Sequence, residues 1–134
     1  MTGTGTTSST FLGATATVPN IGTQIATYLG SNTPAASQLF TIWGGANDFL
    51  NGGQTNPFIP AQNIATEITT LALAGAKQFI VPNLPPLGSL PITNTYPSPI
   101  PQELNALSVA FNQILQAEAT QLEQSLGIDR KSVV

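Results

Sequence analysis

The sequence contains no cysteine and no histidine, and its 134 residues include only three basic and six acidic side chains. Without cysteine there is no disulfide framework, no zinc ribbon and no thiol nucleophile. Without histidine there is no imidazole base, and this chain alone cannot make a Ser-His-Asp triad. Three basic side chains cannot follow a phosphate backbone, so we expect no nucleic-acid partner. No phosphate loop, dinucleotide fingerprint or metal-ligand spacing occurs, so we expect no cofactor and no metal.

Charged residues make up 7% of the chain, against about 25% in an average soluble domain. Apolar residues make up 41% and the mean hydropathy is positive, which disfavours disorder. The neutral polar composition is typical of exported bacterial proteins, so we expect an extracellular or cell-envelope location. No apolar run is long enough to cross a bilayer, and the N-terminal residues lack the basic and apolar regions of a signal peptide.

Hydrophobic spacing predicts three helices, over residues 20–30, 60–75 and 104–127. Asn20 is the predicted N-cap of the first helix, and a glycine ends each of the three. Residues 39–43 and 78–81 are short β-rich apolar runs and predict buried strands, and a third strand could begin at residue 128. This alternation predicts βαβ units, a parallel sheet and an α/β fold.

Three segments lie outside this pattern. Residues 1–10 are almost entirely Thr, Ser and Gly and predict a flexible lead-in that packs against nothing. Residues 44–62 and the proline-rich residues 82–101 predict loops, with Pro60 in the first turn of the second helix. The tail, residues 130–134, holds two of the three basic residues, which is typical of a truncated or frameshifted reading frame.

The most informative local feature is the glycine-rich turn after the first strand, Trp43-Gly44-Gly45-Ala46-Asn47-Asp48-Phe49-Leu50. Ligands of open α/β sheets bind just outside the carboxyl ends of the strands, where this turn should lie. Glycine lets the backbone approach a substrate, and an Asn amide can donate a hydrogen bond to a developing oxyanion. Ordinary turn and capping chemistry is the alternative interpretation of Asn47 and Asp48.

The run from Ile42 to Phe49 resembles the Gly-x-Asn-Asp motif of the GDSL lipases and esterases, also called SGNH hydrolases. Phe11-Leu12-Gly13-Ala14-Thr15 is similar to the family's glycine motif. Residues 79–88 look like its strand and proline loop, and residues 104–122 resemble its next helix. In order, the resemblance covers residues 11–129. It implies the central part of a partial flavodoxin-like three-layer αβα sandwich, with N- and C-terminal elements missing.

The resemblance also implies residue roles. A serine in this family attacks an ester carbonyl, a histidine takes the proton, and backbone and Asn donors form the oxyanion hole. Asn47 would donate its side-chain amide, Gly13 would donate its backbone N–H, and Gly45 would shape the turn. Asp48 would organise the loop. The family's Gly-Asp-Ser and Asp-x-x-His motifs are both absent, so neither nucleophile nor base is expected from this chain.

The remaining candidates each have a simpler interpretation. Glu67 beside its helix's apolar face is expected to be a solvated surface group. Glu103 near a helix start suits the macrodipole. Trp43 could line an acyl pocket, but a core role is the simpler prediction. The proline loop could form a substrate rim or a rigid connection.

Two function hypotheses follow. The first is the central part of an ester hydrolase of the GDSL type, acting on small-molecule or lipid esters and inactive as this chain alone. The second is a non-catalytic binding or scaffold module that kept the fold without hydrolysis.

Overall fold

The computed structural model describes residues 1–11 and 13–133, so Leu12 of the glycine motif and Val134 of the tail lie outside the described residues. For residues 9–11, 132 and 133 the structure describes the backbone only. The elements in chain order are β1 (Thr6–Phe11), β2 (Ala14–Pro19), α1 (Ile21–Leu29), β3 (Leu39–Thr41), α2 (Ala46–Leu50), α3 (Phe58–Leu73), β4 (Gln78–Pro82), two short 3-10 turns (Leu87–Ser89 and Thr93–Thr95), α4 (Ile100–Leu126) and β5 (Asp129–Val133).

The predicted parallel sheet is present, and the described residues give it three strands in the order β3-β4-β5. Phe79 in β4 pairs with Phe40 on one side and with Arg130 on the other. The atypical composition of the tail therefore does not prevent it from folding, because residues 130–133 belong to β5. The guanidinium of Arg130 is also nearly buried, and its Nε lies 3.1 Å from Oε1 of Glu123 on α4.

Within the described part of the chain, helices cover one face of this sheet and leave the other open. Phe79 and Val81 point to the covered face, where Phe40 contacts Phe79 and the ring of Tyr28 from α1 at 5.8 Å between ring centroids. On the opposite face the exposed side chains are Leu39, Thr41, Gln78, Asp129 and Lys131. The described residues therefore form two of the three layers that the αβα prediction requires.

The two long helices, α3 and α4, confirm the prediction made from the hydrophobic spacing. The apolar face of α3, from Ile64 to Leu71, is buried in the main core. Pro60 lies in its first turn, where the missing N–H costs nothing. Helix α4 has Glu103 in its first turn and ends at Gly127, which takes the left-handed conformation at φ 59°. No helix among the described residues is long and apolar enough to span a membrane.

The lead-in prediction is wrong, because residues 6–11 form a strand. β1 pairs antiparallel with β2 in a separate two-stranded sheet, from Thr6↔Pro19 to Phe11↔Ala14. Every side chain of β2 is exposed, so neither burial nor hydrophobic alternation marks the hairpin in the sequence. The β-branched threonines favour the extended conformation and are the signal that could have revealed it.

Residues 1–5 also pack against the rest of the chain. The Thr2 side chain is buried, and the backbone N–H of Gly22 donates to the carbonyl of Gly3 at 2.8 Å. A Cβ on Gly22 would lie 2.6 Å from that carbonyl oxygen, so the segment fits against the start of α1 only because residue 22 is glycine. Asn20 flanks α1 as predicted, but its side chain bonds to Thr7 and Thr4 and does not cap the helix.

The first predicted strand is shorter and less buried than expected. β3 covers residues 39–41 and lies at the edge of the sheet, so Leu39 is exposed while Ile42 is buried. Trp43 does not join the core, since 62% of it is accessible to solvent. The loop expected over residues 44–62 contains the short helix α2.

Candidate functional site

A cavity of about 390 Å³ lies where β3 gives way to α2, beside the glycine-rich turn. The cavity is lined by the turn itself, the start of α1 and the end of β2. Its lining residues are Met1, Val18, Pro19, Ile21, Gln24, Trp43, Gly44, Gly45, Ala46, Asn47 and Leu84. None of these side chains is charged, and the one formal charge among the described lining residues is the Met1 ammonium, so the cavity suits a neutral or an anionic group.

Gly45 makes the turn from the strand into α2. Its φ is 107°, which an L side chain rarely adopts, and it stands at the N-cap of α2. A Cβ at this position would lie 2.8 Å from Cζ of Phe111 on α4. Backbone conformation and packing therefore both require glycine here, and this places residue 47 in the first turn of α2.

Asn47 has an oriented side-chain amide. The Nδ2 of Asn51, one helical turn later, donates to Oδ1 of Asn47 at 3.0 Å. That bond occupies the oxygen of Asn47 and leaves its Nδ2 without a partner among the described residues. Asn47 is exposed and lines the cavity, so its amide is accessible to an acceptor there. Sequence reasoning missed Asn51, although the i,i+4 spacing of two asparagines was the available signal.

Asp48 does not face the cavity chemistry, because its carboxylate holds residue 2. The backbone N–H of Thr2 donates to Oδ2 at 3.0 Å and the Thr2 hydroxyl donates to Oδ1 at 2.8 Å. The Nδ2 of Asn63 on α3 in turn donates to the Thr2 hydroxyl at 3.1 Å. These bonds attach the N-terminal segment to both α2 and α3.

The structure does not bring Gly13 to Asn47. Gly13 lies in the turn between β1 and β2 with φ 79°, and nothing lies within 4 Å of a Cβ placed on it. It is absent from the described lining of the Asn47 cavity. The antiparallel pairing of β1 with β2 puts this residue at the tip of the hairpin, where its positive φ serves the turn.

The prediction that Glu67 is a solvated surface group is wrong, because this residue is buried. Only 5% of the residue is exposed, its Oε1 accepts the backbone N–H of Gly3 at 2.8 Å, and its Oε2 has no hydrogen-bond partner within residues 1–11 and 13–133. Burial is the main cause that raises the pKa of Glu67 to about 7, and the charge of Asp48 adds to it. The Gly3 N–H and the Met1 ammonium act in the opposite direction.

Known proteins resemble this chain over most of its length. A sequence model of the GDSL-like Lipase/Acylhydrolase family matches residues 4–133, so it includes β1 and β5. An Arabidopsis thaliana protein named GDSL esterase/lipase 22 is 32% identical over 93 residues, which is 58% of this chain and 24% of that protein.

A second Arabidopsis thaliana protein, named Inactive GDSL esterase/lipase-like protein 23, is 32% identical over 90 residues, 56% of this chain and 23% of that protein. Each match thus spans about a quarter of the relative's length. The family match covers nearly all of the described residues and includes the turn that carries Asn47. The chain belongs to the GDSL-like lipase/acylhydrolase family, and this membership implies the SGNH hydrolase fold.

Proposed function

We propose that this chain supplies the oxyanion side of an ester hydrolase site of the GDSL type. The observation that carries the proposal is the bond from Asn51 to Oδ1 of Asn47, which leaves Nδ2 of Asn47 available to an acceptor in the cavity that Asn47 lines. A neutral donor fixed in advance stabilises the negative charge that develops on an ester carbonyl oxygen. Gly45 contributes by setting the turn, and Gly13 has no part in this arrangement.

The nucleophile and base of the proposed reaction come from outside these 134 residues. The sequence has no histidine and no Gly-Asp-Ser, so it offers neither partner of a serine–histidine pair. We further propose that residues 11–129 are the central part of a three-layer αβα domain. The open face of the sheet supports this, because it exposes Leu39 beside polar neighbours.

A stable mimic of the tetrahedral intermediate tests the oxyanion role. The monoanion of methyl butylphosphonate is titrated into the ¹⁵N-labelled chain while the side-chain amide signals are followed by NMR. We expect the Asn47 amide signals to shift with saturation. Asn47→Ala should weaken binding by about 10- to 150-fold, since a hydrogen bond to a charged group contributes about 1.5–3 kcal/mol.

The matched control is Asn94→Ala, which removes an exposed asparagine outside the cavity. If the control and Asn47→Ala weaken phosphonate binding equally, the proposal is wrong. For the chain alone we expect no hydrolysis of p-nitrophenyl butyrate. Clear turnover together with fluorophosphonate labelling of a serine would contradict the statement that the nucleophile comes from elsewhere.

A non-catalytic binding module is the second candidate function. The absence of histidine favours it, and the name of one relative calls that protein inactive. The module predicts a monodisperse chain that unfolds in one sharp transition and binds esters without hydrolysis. The central-part proposal predicts association through the unpaired edge of β3, because open strand edges favour it. Sedimentation velocity separates the two.

We also propose export to the cell envelope or the medium. The support is compositional, since charged residues make up only 7% of the chain. Fractionation of the producing cells tests it, and recovery in the cytoplasmic fraction alone would contradict it.

A further inference from the structure

One face of α4 carries three polar side chains that hold the segment after β4. The backbone N–H of Gly88 donates to Oδ1 of Asn105 at 2.7 Å, and that of Leu87 donates to Oγ of Ser108 at 3.1 Å. The N–H of Leu84 donates to Oδ1 of Asn112 at 2.8 Å. Spacings of three and four residues put these side chains on the same side of the helix. The segment after β4 is therefore held against α4 through its backbone N–H groups.

Asn112 makes the most complete of these attachments. Its Nδ2 also donates to the carbonyl of Leu84, at 2.9 Å, so both polar groups of the side-chain amide are paired with both backbone groups of one residue. Leu84 is buried and lines the Asn47 cavity. The position of one wall of that cavity thus depends on Asn112.

A second cavity, of about 590 Å³, shares Leu84 and Trp43 with the Asn47 cavity. Its lining residues are Trp43, Pro82, Asn83, Leu84, Pro85, Pro86 and Asn112. We call it the proline-walled cavity. Its volume is within the roughly 300–1,000 Å³ of small-molecule sites, and no charged side chain is among its described lining residues. Trp43, 62% of which is exposed, adds a large apolar surface to this lining.

We propose that the proline-walled cavity binds the hydrocarbon chain of an ester, with Asn112 as the positioning residue that fixes its wall. The proposal deepens the function proposed above and rests on it. Trp43 and Leu84 belong to both cavities, so an ester carbonyl beside Asn47 can extend its chain past them. Five of the seven lining residues are proline, leucine or tryptophan and the two asparagines carry no charge, so affinity should depend on chain length and not on charge.

Fluorescence of Trp43 tests this directly, because it is the chain's single tryptophan. Methyl acetate, methyl butanoate and methyl hexanoate are titrated with excitation at 295 nm. We expect a saturable blue shift whose affinity rises about fourfold for each added methylene. Hexyl acetate, titrated in parallel, identifies whether the acyl or the alcohol chain enters. Equal affinities across the methyl ester series, with no effect of chain length, would overturn the proposal.

Two pairs of variants locate the site. Asn112→Ala should reduce the affinity for methyl hexanoate at least tenfold, while Asn105→Ala, which frees Gly88 outside the cavity wall, should leave it within twofold. Pro86→Glu places a carboxylate in the wall and should reduce affinity at least tenfold even if Asn112→Ala does not fold. Its control is Ile92→Glu, at an exposed apolar position outside the cavity.

The outcomes separate the two proposals. If Pro86→Glu binds methyl hexanoate as well as Ile92→Glu does, the proline-walled cavity is not the site, whatever the phosphonate does at Asn47. If chain-length dependence is present but Asn47→Ala leaves phosphonate binding unchanged, the oxyanion role of Asn47 fails and the cavity remains an alkyl-binding site.

Discussion

The carboxyl group of Glu67 on α3 accepts the backbone N–H of Gly3, 64 positions earlier in the chain, at 2.8 Å. Its other oxygen has no partner among the described residues. An acid that is buried in this way is more stable in its neutral form, which is why the pKa of Glu67 is raised from 4.5 to about 7. The N-terminal segment therefore rests on a group that titrates near neutral pH.

This titration predicts a pH-dependent stability. The folded pKa is above the unfolded value, so the contribution of Glu67 is fully present below about pH 4.5 and is lost as the pH rises through about 7. Glu67→Gln cannot ionise, so its free energy of unfolding relative to the wild type should increase from pH 4 to pH 8, by about 1–3 kcal/mol. Urea unfolding at both pH values measures it. Glu118→Gln is the control, and an equal change in both variants would contradict the prediction.

The attachment of residue 2 to Asp48 predicts a local loss in Asp48→Asn. The amide offers one acceptor oxygen in place of two and carries no charge, so one of the bonds from Thr2 is lost and the other weakens. We expect a loss of about 1–2 kcal/mol of stability and faster hydrogen exchange at the Thr2 N–H. Asp129→Asn, on the open face of the sheet, should change neither. Unchanged exchange at Thr2 would show that the carboxylate does not hold it.

Gly45 and Gly53 form a matched pair for substitution by alanine. Both have positive φ, at 107° and 63°, but only Gly45 has a neighbour, Phe111, in the way of a Cβ. Gly53→Ala should cost about 1 kcal/mol of stability from backbone strain alone. Gly45→Ala should cost about 2–4 kcal/mol, because φ 107° lies outside the left-handed region open to alanine and the contact with Phe111 adds an overpacking penalty. Equal costs in denaturant unfolding would contradict the packing argument.

Asn51 predicts an indirect effect on ligand binding. Asn51→Ala removes the bond that occupies Oδ1 of Asn47, so the Asn47 amide becomes free to rotate. Affinity for the methyl butylphosphonate anion should fall several-fold, less than in Asn47→Ala, because the donor remains but is no longer held. Asn51→Asp keeps an acceptor but not the donor, and it should not rescue binding. Calorimetric titration of Asn47→Ala, Asn51→Ala and Asn51→Asp measures these affinities. An Asn51→Ala variant that binds as tightly as the wild type would contradict the prediction.

The sequence predicts elements whose signals are local. Ile64 and Ile68 repeat at helical spacing within α3, so the helix and its buried face follow from a few neighbouring residues. Glu67 lies one residue from Ile68 and shows no such signal, since its burial depends on Gly3 arriving from a distant part of the chain. The exposed hairpin has no hydrophobic alternation to detect.

The candidate site divides in the same way. Asn47 and Gly45 stand in a motif whose turn geometry is local, and the structure places both at one cavity. The prediction that Gly13 is an oxyanion donor rests on a short glycine pattern. The antiparallel pairing of β1 with β2 places this glycine in a hairpin turn. Similarly, Trp43 was expected in the core because aromatic residues at strand ends often are, but β3 is an edge strand.

Helix α4 sets the rotation, about its own axis, of one side-chain contact relative to another that lies farther along it. It has 27 residues and runs for about 40 Å. Asn112, near the middle of the helix, accepts the N–H of Leu84 in the cavity wall. Glu123, near the C-terminal end of the helix, forms an ion pair with Arg130 of β5. Deleting one residue between them would rotate one end against the other by about 100°. The number of residues between Asn112 and Glu123 is therefore constrained by these two contacts.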